Sequence, residues 1–153
     1  MLKLRVVAVG DMKESYYREA AKEYVKWLGK WAKIEINEVR EATNYSDPTQ
    51  KKNAEGEEIL KKAKGFLVLL DVKGKKVSSE SFAELIDRAV LGGNGELSFV
   101  IGGSNGVSDA VKAAAKETVS FGDVTLPHRL FRVILLEQIY RAETILHGAA
   151  YHK

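Results

Sequence analysis

The sequence predicts an α/β fold, a mainly parallel sheet with helices on both faces, and three observations carry that prediction. Leu2 to Val9 is a nearly continuous apolar run closed by Gly10, and Phe66 to Leu70 and Leu97 to Ile101 repeat the pattern; strands of this kind belong to sheets covered on both faces. Between the runs, apolar residues return at steps of three and four, the period of a helix. The two kinds of segment alternate along the chain, the order of a sheet built from crossover units.

The first helix is marked by Tyr17, Ala20, Ala21, Tyr24, Leu28 and Trp31, with Arg18, Lys22, Lys26 and Lys30 along another side at steps of four. Ile34, Ile36 and Val39 alternate with polar residues and predict a second, more exposed strand. Residues 40–50 are rich in Thr, Asn, Ser and Asp around Pro48 and read as a loop. The Lys/Glu-rich segment 51–64 is helical by propensity and stops at Gly65. The third strand runs from Phe66 to Leu70 and ends at Asp71. Ser78 or Ser79 caps a helix whose apolar face is Phe82, Leu85, Ile86 and Ala89. Gly92, Gly93 and Gly95 then turn the chain into the strand ending at Ile101.

At 153 residues, 45% hydrophobic and 29% charged, the chain fits one globular domain, 1–153. There is no cysteine, which excludes a thiol nucleophile, a disulfide framework and cysteine-ligated metal, and fits a cytoplasmic protein. No run approaches the roughly 20 apolar residues that span a bilayer, so a soluble protein is expected. Residues 1–76 carry 17 Lys/Arg against 12 Asp/Glu, and residues 77–153 carry 7 against 9. A basic half suits a polyanionic partner, and a lysine-rich solvated surface has the same composition.

In a parallel sheet a ligand sits at the carboxyl ends of the strands. Three segments leave strands there or lead to the last helix: Leu69 to Lys75, Ile101 to Gly106, and Phe121 to His128. Gly102, Gly103 and Gly106 let backbone approach a ligand closely, and they suit a tight turn equally well. No Lys-Ser/Thr pair follows Gly106, so this is no P-loop, and the spacing does not match the dinucleotide fingerprint. Ser108 is placed to cap a helix. Pro127 suits the first position of the last helix, whose Val133, Ile134, Leu135, Leu136, Ile139 and Ile145 make it apolar almost all round. Such a helix is buried on all sides, and a second subunit is the expected cover. Arg129, Arg132 and Arg141 interrupt it, to be paired with Glu137 or Glu143 or to hold a phosphate. The final Tyr151, His152 and Lys153 would by position be frayed.

Taken together, Leu70-Asp-x-x-Gly-Lys75, Ile101-Gly-Gly-Ser-Asn-Gly106, Leu126-Pro-His-x-x-x-Arg132, Tyr140-Arg-Ala142 and Tyr151-His-Lys153, preceded by Val7-Ala-Val-Gly10, resemble the ribosomal RNA large-subunit methyltransferase H family, a branch of the SPOUT methyltransferases. The resemblance runs the whole chain in order. It implies a homodimer with a trefoil knot in the carboxyl-terminal half, S-adenosylmethionine bound in the knot, and methylation of N3 of a pseudouridine in 23S (large-subunit) ribosomal RNA of the assembled ribosome. By position it places cofactor contacts on Leu70, Gly102, Phe121, Gly122, Asp123, Val124, Thr125 and Leu126.

The same resemblance points to Tyr151 and His152 for positioning or proton acceptance. Arg132 is a candidate for RNA contact or for holding the tail. Lys153, where some relatives carry arginine, is a candidate for phosphate contact. No metal is called for, since a sulfonium is already an activated methyl donor and the three histidines lack ligand spacing. Two other readings fit the residues: a different nucleotide-binding α/β enzyme using Gly102 to Gly106, and a non-catalytic ribosome-binding factor with its basic half on RNA.

Overall fold

The computed structural model describes residues 1–153. Five strands, β1 (Leu2–Val9), β2 (Ala32–Val39), β3 (Phe66–Lys76), β4 (Glu96–Ile101) and β5 (Glu117–Ser120), alternate with α1 (Ser15–Leu28), α2 (Pro48–Lys62), α3 (Ser79–Gly92) and α4 (Asp109–Ala114), and α5 (His128–Leu146) follows. The strands form one sheet in the order β2-β1-β4-β3-β5, every pair parallel.

The pleat sends alternate residues of each strand to opposite faces. Leu4, Val6 and Ala8 of β1, Val68 and Leu70 of β3, and Leu97, Phe99 and Ile101 of β4 pack under α1, α3 and α5. Val7 and Val9 of β1, Leu67 and Leu69 of β3, and Val100 of β4 pack under α2 and α4 through Ile59 and Val111. The predicted helices on both faces are therefore present. The steps from β1 to β2 and from β3 to β4 run one way along the sheet and place α1 and α3 on one face. The steps from β2 to β3 and from β4 to β5 run the other way and place α2 and α4 on the opposite face, as a single crossover hand requires. Neighbouring strands β1 and β4 thus send their connections to opposite faces, which opens a switch-point crevice at their carboxyl ends.

Four features depart from the sequence reading. The loop expected over residues 40–50 ends early, because Asp47 accepts from the Gln50 amide at 2.9 Å and Pro48 opens α2. β3 continues past Asp71 to Lys76, with a break in register between Leu70 and Lys75 where it leaves β4 and follows β5. β5 was not expected: its four residues include one buried apolar side chain, Val119. Pro127 stands just before α5 rather than within it, a shift of one residue. As expected, Ser78 caps α3, in a reciprocal box with Ser81, and Ser108 caps α4.

Candidate active site

The three segments singled out above converge. Leu70 and Val72 of β3, Ile101 at the end of β4 with Gly102 and Gly106 after it, and Phe121, Gly122 and Val124 to Leu126 beyond β5 surround a cleft of about 210 Å³, closed at one side by Phe131 and His128 of α5. Its floor is aromatic. Phe121 stands edge-on to Phe82 at 5.2 Å and tilted against Phe131 at 5.5 Å. Val72 and Val124 stand at the mouth, 54% and 69% exposed, an apolar rim with no protein partner.

Backbone geometry explains the glycines. A methyl group on Gly102 would lie 2.6 Å from Val107 Cγ1 and 3.1 Å from the Gly106 carbonyl, so the β4 loop folds back on itself only because that side chain is missing. Gly122 has φ +130°, and nothing lies within 4 Å of where its Cβ would be. Glycine is required there by the backbone, and the space beside it belongs to the cleft. Ser120 Oγ accepts from the Gly122 amide at 3.1 Å and donates to its carbonyl at 2.9 Å, which fixes the turn out of β5.

Seven of the eight residues marked for the cofactor line this cleft: Leu70, Gly102, Phe121, Gly122, Val124, Thr125 and Leu126. Asp123 does not. It lies on the rim, where its carboxylate takes the Lys76 ammonium at 2.7 Å and ties the β5–α5 loop to the end of β3. Val107, Val119 and Phe131 also line the cleft and were not picked from sequence, because they are apolar residues whose nearness to the glycine loop depends on tertiary packing.

The switch-point crevice is a second cavity, about 430 Å³, which shares Gly103 and His128 with the first. Arg129 spans its base: Nε donates to the Asp11 carbonyl at 2.9 Å, Nη2 to Asp11 Oδ1 at 3.3 Å, and Nη1 to Glu14 Oε1 at 3.3 Å. Arg132 is turned inward, its side chain 4% exposed, donating to Glu38 Oε2 at 2.6 Å and to the Gly10 carbonyl at 3.1 Å. Its partner is thus neither of the carboxylates expected on its own helix.

The tail is packed rather than frayed. Tyr151 donates to Glu137 Oε2 at 2.7 Å, its ring stands edge-on to Tyr140, and the Arg141 guanidinium lies 4.8 Å over it. Arg141 pairs with Glu137, as expected, and also donates to His152 Nδ1 at 3.1 Å. A guanidinium only donates, so the imidazole proton sits on Nε2, which faces Glu80 Oε1 at 2.7 Å. Arg141, not Arg132, therefore holds the tail. Burial, then the bond to Glu137, pushes the Tyr151 phenol up to about 12. Neither Tyr151 nor His152 lines either cavity, and Lys153 is exposed. No cluster of three or more His, Asp or Glu is placed to hold a metal ion, and no helix is long and apolar enough to cross a membrane.

Comparison with known proteins identifies the family. Residues 2–152 match the family described as "Predicted SPOUT methyltransferase". A protein of Caldicellulosiruptor saccharolyticus named ribosomal RNA large subunit methyltransferase H is 47% identical over 98% of this chain and 99% of its own length. Proteins of the same name from Clostridium botulinum and Limosilactobacillus reuteri are 43% and 42% identical, each over 99% of this chain and all of their own length. Among solved structures, a probable methylase family protein of Haemophilus influenzae shares the fold, with a TM-score of 0.55 at 13% identity over 98% of this chain and 70% of that one. The chain belongs to the SPOUT methyltransferases, among the ribosomal RNA large subunit methyltransferase H proteins.

Proposed function

We propose that this chain transfers the methyl group of S-adenosylmethionine to N3 of a pseudouridine in large-subunit ribosomal RNA, acting in the cytoplasm on the assembled ribosome. The observation that carries the reading is the cleft at the carboxyl ends of β3, β4 and β5, with its glycine loop and apolar rim. The names of relatives that align end to end support the substrate class.

The residues suit an adenosyl group. Leu70, Val124 and Leu126 offer apolar contact to a flat ring, and the open side of Gly122 leaves room for a ligand to lie against the chain. When bound, the cofactor supplies a methyl group already activated on a sulfonium. The chain supplies alignment, because an in-line displacement gains much of its rate from holding the acceptor nitrogen on the line of the breaking bond.

The partner in this reading is a second copy of the chain. Val133, Ile134 and Ile145 of α5 remain only half-buried, and a homodimer would cover them. In their own protomer Tyr151 and His152 are committed to α5 and α3, so their positioning roles are assigned to the cleft of the second protomer. Lys153 is assigned to RNA phosphate. Arg132 reaches RNA only by giving up Glu38. The cofactor-bearing half is proposed to be knotted, the whole chain forming one SPOUT domain.

The test is methyl transfer from labelled S-adenosylmethionine to ribosomes lacking the modification, with free large-subunit RNA and separated subunits alongside. Label in one pseudouridine of the intact ribosome, at N3, is the expected result. Cofactor binding without label in any substrate would discard the substrate. Ribosome binding without cofactor binding would favour a non-catalytic factor.

A further inference from the structure

Neither the fold nor the cofactor cleft uses the cations of α1. Arg18, Lys22 and Lys26 recur at steps of four and form one row along the helix, about 6 Å per step and about 12 Å in all. All three are exposed, and none lies within ion-pair distance of a carboxylate, although Glu19 and Glu23 stand on the same helix. Like charges at this spacing repel and weaken a helix, and nothing inside the chain offsets that repulsion. Lys30 continues the line but lies 4.7 Å over the Trp31 ring.

The surroundings of the row explain why it stays unpaired. Arg18 and Lys22 stand at a groove of about 470 Å³ between α1 and the edge strand β2, floored by Ala21, Val25, Ile34 and Ile36. Two carboxylates share the groove, Asp11 and Glu38, and α5 has claimed both. Arg129 takes Asp11 at 3.3 Å, and Arg132 takes Glu38 at 2.6 Å. Arg18 is nevertheless held in place, because its Nη1 donates to the Met12 carbonyl at 2.7 Å and the Lys13 carbonyl at 2.5 Å. Its Nε–Nη2 edge donates to no protein group, and that edge is the fork that meets two oxygens of a phosphate at once.

Position adds to chemistry. Arg18 grips the loop that leaves β1, so the row begins at the end of the sheet where the cofactor cleft opens and runs away from it. Tyr24 and Trp27 turn instead toward Tyr140, on the α5 side of the helix, so a homodimer formed through α5 leaves the row open. A straight, unneutralised row of cations fits a linear polyanion. We propose that Arg18, Lys22 and Lys26 form a docking track for the sugar-phosphate backbone of large-subunit RNA flanking the modified nucleotide. Arg18 clasps one phosphate, and the lysines meet its neighbours as point charges. The inference rests on the RNA methyltransferase reading and gives it a second foothold, apart from the cleft.

The test measures ribosome binding over a range of salt for wild type, Lys22→Gln/Lys26→Gln, and a control pair on the opposite face of the sheet, Lys61→Gln/Lys112→Gln, which removes the same charge. The track pair is expected to weaken binding roughly tenfold or more and to reduce the slope of log affinity against log salt by roughly two. KM for ribosomes should rise with it, while kcat and S-adenosylhomocysteine affinity stay within about twofold. The control pair should bind as wild type does. A wild-type slope in the track pair, an equal loss in the control pair, or a parallel loss of cofactor affinity overturns the track.

A second measurement, independent of turnover, identifies the partner. The chain has no cysteine, so Glu23→Cys, between the two lysines, supplies a single thiol for a tethered iron chelate that cuts neighbouring backbone. Scission of large-subunit RNA supports the track; scission confined to a ribosomal protein, or none, overturns it. Ribosomes left unmethylated by the wild type sink the enzymatic reading alone, and the scission still decides the track.

Discussion

Arg132 and Glu38, 94 residues apart in sequence, meet at 2.6 Å, and through them α5 is fastened to the end of β2. The same guanidinium holds the Gly10 carbonyl where β1 ends, so one side chain ties two strand ends to the last helix. Glu38 is 44% exposed, which lowers the cost of leaving it unpaired, but the arginine itself is enclosed. Arg132→Met should therefore cost about 2 kcal/mol in denaturant unfolding, and Glu38→Gln about 1 kcal/mol. If Arg132 instead meets an RNA phosphate, its replacement will lower the salt slope of ribosome binding by about one.

Gly102→Ala is expected to act on cofactor binding more than on the fold. The added methyl meets Val107 and the Gly106 carbonyl, and the loop is the part free to move. A loss of about tenfold or more in S-adenosylhomocysteine affinity, with a thermal midpoint within a few degrees of wild type, is the expected calorimetric result. An unchanged affinity would remove the loop from the cofactor site.

Asp123 separates the sequence resemblance from the geometry. Its ion pair with Lys76 is exposed on both sides, and such pairs contribute about 0–1 kcal/mol. Asp123→Asn should then change stability by less than about 0.5 kcal/mol and cofactor affinity by less than about threefold. A larger loss of affinity would mean that the carboxylate leaves Lys76 and meets the cofactor.

Tyr151 should titrate late. Its phenol is held near 12 in the folded chain against an ordinary 10.0. The raised value means that its contribution to holding the tail is complete below pH 10 and is lost as pH rises toward 12. Ultraviolet titration should show a late tyrosine, absent in Tyr151→Phe, which should also lose part of the alkaline release of the tail.

Glu143 gives a pH signature of the same sign, in the carboxylate range. It is buried on α5, burial raises its carboxyl above the usual range despite His147 at 3.4 Å, and its Oε1 lacks a partner. An acid with a raised folded value weakens the protein once ionised, so the cost appears as pH rises through the carboxylate range. Glu143→Gln should melt higher than wild type near neutral pH, and the difference should vanish in acid, where wild-type Glu143 is protonated.

The central strands were legible because burial on both faces leaves little room for polar residues, and Leu2 to Val9 shows it directly. β5 was not, since Glu117 to Ser120 is short and half polar, and its pairing with β3 is a tertiary fact. The run Asp71 to Lys76 looks like a loop by composition and becomes strand only because Gly74 lets β5 approach: a methyl there would lie 2.7 Å from Thr118 and Val119 backbone. At the site, the glycine loop and the run before Pro127 stood out by residue type. The second cavity did not, because Tyr16, Ser104 and Arg129 lie far apart in sequence and carry no local pattern.

The strand order also sets a timetable for synthesis. β1 is made first, yet it lies between β2 and β4, and β4 is not complete until Ile101. Until then its inner edge waits for a partner nearly a hundred residues downstream. Contacts of such sequence separation are slow to close, and an unpaired apolar strand is exposed to aggregation meanwhile. The lysines and glutamates that crowd α1 and α2 would keep the nascent amino-terminal half dispersed during that delay, a service to the growing chain separate from any contact made by the finished protein.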